Sequence, residues 1–405
     1  MKEIKFIHTA DLHLDSPLLG LKYLPIDIFK RLQESTFHAL RKIIDTAIDQ
    51  KVDFIIIAGD IFDGEDRSIR AQVRFKKEME RLEKHNISVF VIHGNHDHLS
   101  GNWTKIEMPE NVFVFGENVE VKGFSTSHGV TASIYGFSYP VRHVYERKID
   151  SYHKEMDADF HIGILHGNLE GGTDHGNYAP FQLKDLMDKG FDYWALGHIH
   201  KRTILSEQPP IIYPGNTQGR HKKESGPKGC YIVTLNEYQS DLTFIETSDV
   251  IWTTENIDAR DCKTFDDLYR LCLQTMDGLR KEGVGQLLNF SIVNLNNEFL
   301  NLQYLKDELL DALQEEEKVE DNLIWPYNIE LEEAVGWKRN ELASESDFYE
   351  EIFRVMDGLQ NIDEMVASLY EHPVGRKFLQ PLTTEVVASV KKEAEKILIQ
   401  GLLKK

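Results

Sequence analysis

The sequence predicts an α/β protein of layered sheets and helices, followed by a smaller α+β segment and a helical C-terminus. Three observations carry this reading. Over the first ~250 residues, apolar runs of four or five residues alternate with longer segments of helical period, as strands buried between helices do. A chain of 405 residues exceeds one compact domain. Its 41% hydrophobic content suffices for a substantial core.

Taken in order, Ile4–His8 is a first strand that leads into a loop through Asp15. Residues 26–48 place Phe29, Leu32, Leu40, Ile43, Ile44 and Ala47 at helical spacing. Phe54–Ala58 is apolar throughout and reads as a strand buried on both faces. Residues 69–85 are helical, and Val89–Ile92 is the third strand. Strand-like pieces follow at 112–115, 133–137, 160–165, 193–196, 211–213 and 231–235. Near Ser248–Asp258 the character changes. Helix (265–281), strand (287–293), helix (302–313) and strand (323–330) describe a small α+β module. From Ser344 the pattern is helical, broken at His372-Pro373. One apolar stripe runs through Phe348, Ile352 and Val355, and another through Val387, Val390 and Ile397. Each stripe either packs on the chain's own body or docks a partner. The expected division is therefore 1–250, 251–340 and 341–405.

Charge and cysteine usage bound the function. The formal charge is −21, of which −7 falls in residues 1–250 and −14 in residues 251–405. No broad basic face is available for casual nucleic-acid binding. Three cysteines without CxxC spacing make no disulfide framework and suit a reducing compartment. Met1–Ile7 mixes charges into a strand-like pattern with no apolar signal core. No apolar run approaches the ~18 residues that a membrane span needs. The expectation is a soluble cytoplasmic protein.

The chemistry lies at strand ends. The first strand is followed by Asp11-Leu12-His13, the second by Gly59-Asp60 and the third by Gly94-Asn95-His96-Asp97. Two later strands are followed by His166-Gly167-Asn168 and Gly197-His198-Ile199-His200. Carboxyl ends of strands in layered α/β proteins form one rim, so these oxygen and imidazole donors are expected to converge. Asp, Asn and His without Cys suit Mn²⁺, Fe²⁺ or Zn²⁺ rather than a structural zinc site. Taken singly, each motif is no more than turn chemistry. Taken together, their order is hard to assign to chance. Gly171–Gly176, just past one of these motifs, reads either as a mobile lid or as a solvated loop. Arg220, Lys222 and Lys223 form a compact basic cluster, which reads either as a contact to a DNA phosphate or as a solvated charge run.

This ordered set resembles the calcineurin-like metallophosphoesterases over residues 1–235. Within that superfamily, His8–Leu14, Gly59–Asp63 and the long C-terminal extension are similar to the SbcD-type DNA repair exonucleases. Leu165–Gly171 and Tyr213–Arg220 look closer to the bacterial YhaO-type branch. The resemblance implies a four-layer α/β/β/α sandwich over 1–250, a capping or DNA-binding module over 251–340 and a partner-docking helical region over 341–405. It implies one divalent ion on Asp11, His13, Asp60 and His200 and a second on Asp60, Asn95, His166 and His198, with Asp60 shared. Manganese is the first choice, with iron, zinc or magnesium as alternatives. Two such ions clamp a phosphate and activate a water. His96 is implied as the acid for the leaving group, with Asp97 orienting its imidazole. Some members carry a second histidine three residues after the bridging Asp, where this chain has Asp63, so that histidine's role does not transfer.

The activity so implied is a two-metal DNA nuclease in repair, acting 3′ to 5′, with single-strand endonuclease activity as an added capacity. The implied partners are DNA, a second copy of the chain and an SMC-like SbcC-type ATPase docking on Ser344–Leu402, with no membrane. A small-molecule phosphodiesterase or nucleotidase is the rival reading, and a metal-free scaffold a third.

Overall fold

The computed structural model describes all residues except 1, 17, 19–20, 22–23, 65–66, 102, 156, 172–177, 296–301, 334–338, 360–361, 373–382 and 404–405. In chain order the elements are β1 (Glu3–Thr9), α1 (Ile26–Asp49), β2 (Phe54–Ala58), α2 (Ile69–Glu83), β3 (Ser88–Ile92), β4 (Val112–Val114), β5 (Glu120–Ser125) and β6 (Thr131–Gly136). Next come β7 (Phe160–His166), α3 (Leu183–Asp188), β8 (Tyr193–Gly197), β9 (Thr203–Glu207), β10 (Pro210–Tyr213), β11 (Gly229–Asn236) and β12 (Ser240–Glu246). The remainder is β13 (Val250–Asp258), α4 (Phe265–Leu279), β14 (Gly285–Leu295), α5 (Leu302–Glu315) and β15 (Ile324–Glu333). Toward the C-terminus the described residues form four helices: α6 (Arg339–Glu345), α7 (Asp347–Gly358), α8 (Ile362–Glu371) and α9 (Thr384–Leu403).

Two six-stranded sheets face each other. The first has the order β12-β11-β1-β2-β3-β4 and the second β5-β6-β7-β8-β10-β9. β1, β2, β3 and β4 run parallel, with Ile7 opposite Ile55 and Ile55 opposite Val89. β6, β7, β8 and β10 are likewise parallel. Antiparallel strands close one edge of the first sheet, β11 and β12, and both edges of the second, β5 and β9, while the parallel β4 ends the first sheet's other edge.

Burial on both faces explains the continuous apolar runs. Ile7, Ile55, Ile57, Val89 and Val91 pack outward against Leu40, Ile43 and Ile44 of α1 and Phe75 and Met79 of α2. Phe6, Phe54, Ile56, Phe90 and Ile92 pack inward against Ile134, Ile162, Ile164 and Tyr193 of the second sheet. Trp194, Leu165 and Tyr135 face the fourth layer, which comprises α3 and the segments carrying Tyr152 and Phe181. This is the α/β/β/α order expected. The strands absent from the sequence reading are β5, β9, β12 and β13; the first three mix half-buried and exposed residues because they sit at sheet edges.

The chain folds into two compact units. The first comprises Met1–Asn256, Asp266–Ser291 and Gln303–Glu330; the second comprises Ile257–Phe265, Ile292–Leu302 and Leu331–Lys405. In the first, Leu287, Leu323 and Trp325 share a core with Ile28 and Leu32 of α1, and Arg31 donates to the Asp321 carbonyl at 2.7 Å. In the second, Leu342, Phe353 and Ile399 form a small core, and Arg339 pairs with Asp357 and Glu395. Phe348, Val355, Val390 and Ile397 of the expected stripes are exposed. The inward face of α7 instead passes through Phe353, one position from half-buried Ile352. No helix among the described residues is long and apolar enough to cross a membrane.

Candidate active site

The site is built at the carboxyl ends of β1, β2, β3, β7 and β8. As β1 ends, Asp11 and His13 turn into positive φ (52° and 44°), as Asp60 does after β2 (51°) and His198 after β8 (97°). Such backbone costs about 1–3 kcal/mol per residue and persists only where its surroundings fix it. Here adjacent loops fix it: Asp11 N–H donates to the Gly59 carbonyl at 3.1 Å, and His13 N–H to the Asp60 carbonyl at 3.0 Å. The motif glycines let the two sheets close at this rim. A Cβ on Gly94 would lie 2.3 Å from Asp60 Oδ1, and one on Gly197 would lie 1.8 Å from the Ala58 carbonyl oxygen.

All seven expected ligands meet here. His13 Nε2 and His200 Nε2 lie 3.0 Å apart. Asn95 Oδ1 lies 3.0 Å from His166 Nε2 and 3.1 Å from His198 Nδ1. Between these groups Asp60 Oδ2 is 3.4 Å from His166 Nε2 and 3.9 Å from His13 Nε2. Asp11 accepts the His198 N–H at 3.1 Å. Three donor sets, Asp11/His13/His200, Asp11/Asp60/His166 and His13/Asp63/His96, each bring their ligand atoms within 4.8 Å of one another among the described residues.

These residues fit divalent cations. Imidazole nitrogens that face each other, and buried carboxylates beside them, are arranged around shared points rather than toward separate protein partners. The donors are O and N only, the set that Mn²⁺, Fe²⁺, Zn²⁺ and Mg²⁺ accept. His166 Nδ1–H donates to the Ala58 carbonyl at 2.9 Å, which turns its Nε2 lone pair inward. Burial, with Arg220 nearby, pushes His13 down to about 3, so its ring is neutral and able to ligate. Burial also disfavours a charged His166, but Asp60 outweighs it and lifts the ring to about 9. Burial raises Asp60 as well, and His166 and His13 more than offset it and hold it well below the carboxylate range. Proton and cation therefore compete for this pair.

His96 is not in the shared-ligand sets around Asp60. Its N–H donates to Asp60 Oδ1 at 2.9 Å, and its ring is one-third exposed toward a cavity of about 600 Å³. The carboxylate that orients it is not Asp97. His96 Nδ1 lies 3.0 Å from Asp63 Oδ1. Asp97 is instead spent on its own loop: it accepts Gly94 N–H at 2.8 Å and Ile61 N–H at 2.9 Å, and it meets His93 Nδ1 at 3.0 Å. The tight Gly94–Asp97 turn points Asp97 inward, away from the following cavity, so adjacency in sequence does not become contact. Asp63 also accepts Ser16 Oγ–H at 2.7 Å and Arg220 Nη1–H at 2.8 Å. Burial alone would lower the His96 pKa, but Asp63 and Asp60 raise it, which favours the protonated ring.

The basic cluster divides. Arg220 is turned inward onto Asp63, Lys222 is exposed, and Lys223 lines the cavity with Lys201, His221 and Lys228. Most of Gly171–Gly176 lies outside the described residues. Glu224 escaped the sequence reading. It is buried and meets His200 Nδ1 at 2.6 Å, accepts Asn216 Nδ2–H at 3.0 Å and accepts Arg220 N–H at 2.7 Å. A lone Glu carries no spacing signal; only the return of the loop after β10 brings it to His200. Asp63 did have a signal, three residues past Asp60.

Residues 4–202 match the family model for the calcineurin-like phosphoesterases. The chain is 42% identical over 407 residues to an uncharacterized metallophosphoesterase, YhaO of Bacillus subtilis (strain 168), covering 99% of this chain and 98% of that protein. It is 26% identical to the DNA double-strand break repair protein Mre11 of Sulfurisphaera tokodaii over 61% of this chain and 62% of that one. The Mre11 of Methanococcus maripaludis is 25% identical over 75% of this chain and 83% of its own length.

Proposed function

The chain belongs to the calcineurin-like phosphoesterases and is thereby a metal-dependent phosphoester hydrolase, and we propose that its substrate is DNA, cleaved as a 3′-to-5′ exonuclease in repair. One observation carries this reading. A proton donor, His96, stands beside the converged ligands on the open side of the site, held by a carboxylate and facing a cavity larger than a phosphate group needs. The similarity to proteins named for double-strand break repair supports DNA over other phosphodiesters.

When bound, divalent ions polarise the phosphoryl oxygens and lower the pKa of a water. Asp11, His13, Asp60 and His200 would hold one, and Asp60, Asn95, His166 and His198 the other, with manganese the first choice. Asn95 contributes a neutral oxygen and so adds no negative charge near the phosphate. His96, protonated, donates from Nε2 to the departing 3′ oxygen. Asp63 receives the Nδ1–H, which fixes the ring's orientation and stabilises its charge. Arg220 anchors Asp63 on its other oxygen. Asp97 acts through the backbone, holding the Gly94–Asp97 turn that presents His96.

The same reading includes single-strand endonuclease capacity, a homodimer, and an SMC-like ATPase docked on 341–405. The exposed Phe348, Val355, Val390 and Ile397 support that docking, since apolar groups in such a cluster call for a cover. We place the protein in the cytoplasm. The net charge of −21 favours a second reading, a small-molecule phosphodiesterase or nucleotidase. The test is digestion of end-labelled duplex DNA beside bis-p-nitrophenyl phosphate, with Mn²⁺ and with chelator. The proposal expects Mn²⁺-dependent shortening from the 3′ end. Turnover of the small diester alone would give the second reading.

A further inference from the structure

In a chain of net charge −21, cations usually find partners. Arg81 pairs with Asp45 and Glu78, Arg147 with Glu170 and Asp185, and Arg280 with Asp277 and Glu317. The cavity beside the metal ligands departs from this. Its lining joins those ligands to Lys201, His221, Lys223 and Lys228. Among the described residues, no carboxylate lies within 4.0 Å of any of the three ammoniums. Of the two acidic residues that line it, Asp60 stands among the metal ligands and Glu224 is committed to His200, Asn216 and Arg220 at 2.6–3.0 Å. Lys228 is half-buried, and burial is the largest influence lowering its pKa. Glu224 favours the Lys228 ammonium only from beyond ion-pair distance, so an arriving anion can still pair with this half-buried charge.

Size points the same way. At about 600 Å³ the cavity falls within the range that takes a whole organic ligand. A lone phosphodiester group held at the metal ligands would leave the lysine wall unused. We infer that Lys201, Lys223 and Lys228 form a subsite for a second backbone phosphate of an oligodeoxynucleotide, next to the phosphodiester being hydrolysed. This rests on the DNA reading above. The wall then selects polyanions over isolated phosphodiesters, and it gives an acidic protein a local cationic track at the one place where its substrate must sit.

The shared chemistry is phosphate, so the experiment separates oligonucleotide from nucleotide. The full chain loaded with Mn²⁺ is assayed on a single-stranded oligodeoxynucleotide and on bis-p-nitrophenyl phosphate across a salt series. ATP is added as competitor in a parallel arm. The variants are the triple Lys201→Gln, Lys223→Gln, Lys228→Gln and the triple with Arg at the same positions. The Gln triple is expected to lose at least ~10-fold more kcat/KM on the oligonucleotide than on the small diester. Its salt slope should be shallower by about 0.7, the value for one phosphate contact on a single strand. The Arg triple, which keeps the charge, should stay within about threefold of wild type on the oligonucleotide. Equal losses on both substrates, an unchanged salt slope, or ATP inhibiting as strongly as a second oligonucleotide would each overturn the subsite. If wild type turns over the small diester and neither binds nor cleaves the oligonucleotide, the DNA reading falls and the subsite with it. If wild type cleaves the oligonucleotide and the Gln triple matches it, the subsite alone falls.

Discussion

Replacing Asp63 by Asn removes the charge that holds His96 while keeping the shape of the side chain. His96 Nδ1 lies 3.0 Å from Asp63 Oδ1, and the ring is only one-third exposed, so the pairing is partly shielded from water. A hydrogen bond to a charged group is worth about 1.5–3 kcal/mol. At 1.4 kcal/mol per factor of ten, a protonated His96 would lose about 10- to 150-fold of its stabilisation. That loss reaches the rate only when the leaving oxygen needs a proton. A 3′ alkoxide needs one, whereas p-nitrophenolate departs without it. The Asp63→Asn variant is therefore expected to cut kcat on a dinucleotide by about 10- to 100-fold, no more than the ~10²–10⁴-fold that a general acid contributes in full. On bis-p-nitrophenyl phosphate it should lose only a few-fold. His96→Ala should show the same substrate bias more strongly, with metal occupancy near wild type by elemental analysis. The double variant should be no worse than His96→Ala alone, because the two act as one unit. Equal losses on both substrates, or additive losses in the double variant, would refute the pairing of Asp63 with His96 as the proton source.

Other outcomes follow from the same geometry. Asp60→Asn should reduce binding of both ions, because its carboxylate lies 3.4 Å from His166 and 3.9 Å from His13, whereas Asp11→Asn, although Asp11 stands in two of the donor sets, should weaken mainly the ion on His13 and His200; metal stoichiometry by elemental analysis distinguishes them. Glu224→Gln should lower affinity for one ion by about 10- to 100-fold, the usual cost of losing a partner behind a ligating histidine, read by metal titration. Asp249 offers a pH test away from the site. Burial raises its pKa, but His38 at 3.3 Å and Arg31 at 3.4 Å more than offset this and lower it. A carboxyl depressed on folding adds stability above its unfolded value, near pH ~4, and loses it as pH falls through the folded value. Asp249→Asn should thus cost about 1–3 kcal/mol at pH 7 and progressively less below pH ~4, seen by thermal unfolding at both. A pH-independent difference would contradict the assignment.

Much of this architecture was legible from the chain because β2, β3 and β8 appear as apolar runs, and β1 and β7 as runs broken only by Lys5 and His8 and by His161, each leading into polar donors. Parallel strands put those ends on one rim, so the convergence of donors was legible, while the choice of seven ligands among them came from the resemblance to the metallophosphoesterases. Edge strands gave no such signal: β5 and β12 alternate exposed and half-buried residues, and half of that pattern resembles a loop. The partners of His96 and His200 were hidden for another reason. Asp63 and Glu224 lie 33 and 24 positions away in sequence, and contact between them depends on how loops return to the rim. Adjacency suggested Asp97 for His96, yet a tight turn sends neighbouring side chains to opposite sides. In the C-terminal helices more than one face is apolar, and the packing of Phe353 and Ile399 chose faces about 140° and 160° round the helix from Phe348 and Ile397.

The central claim is a site for two divalent ions that share Asp60 and act together on a phosphodiester. Titrating chelator-stripped protein with Mn²⁺, while recording turnover of bis-p-nitrophenyl phosphate, tests it directly. Two ions bound per chain are expected, with turnover appearing as the second site fills and absent in Asp60→Asn at the same metal concentration. Saturation at one ion per chain with full turnover, or turnover that persists in chelator, would contradict it.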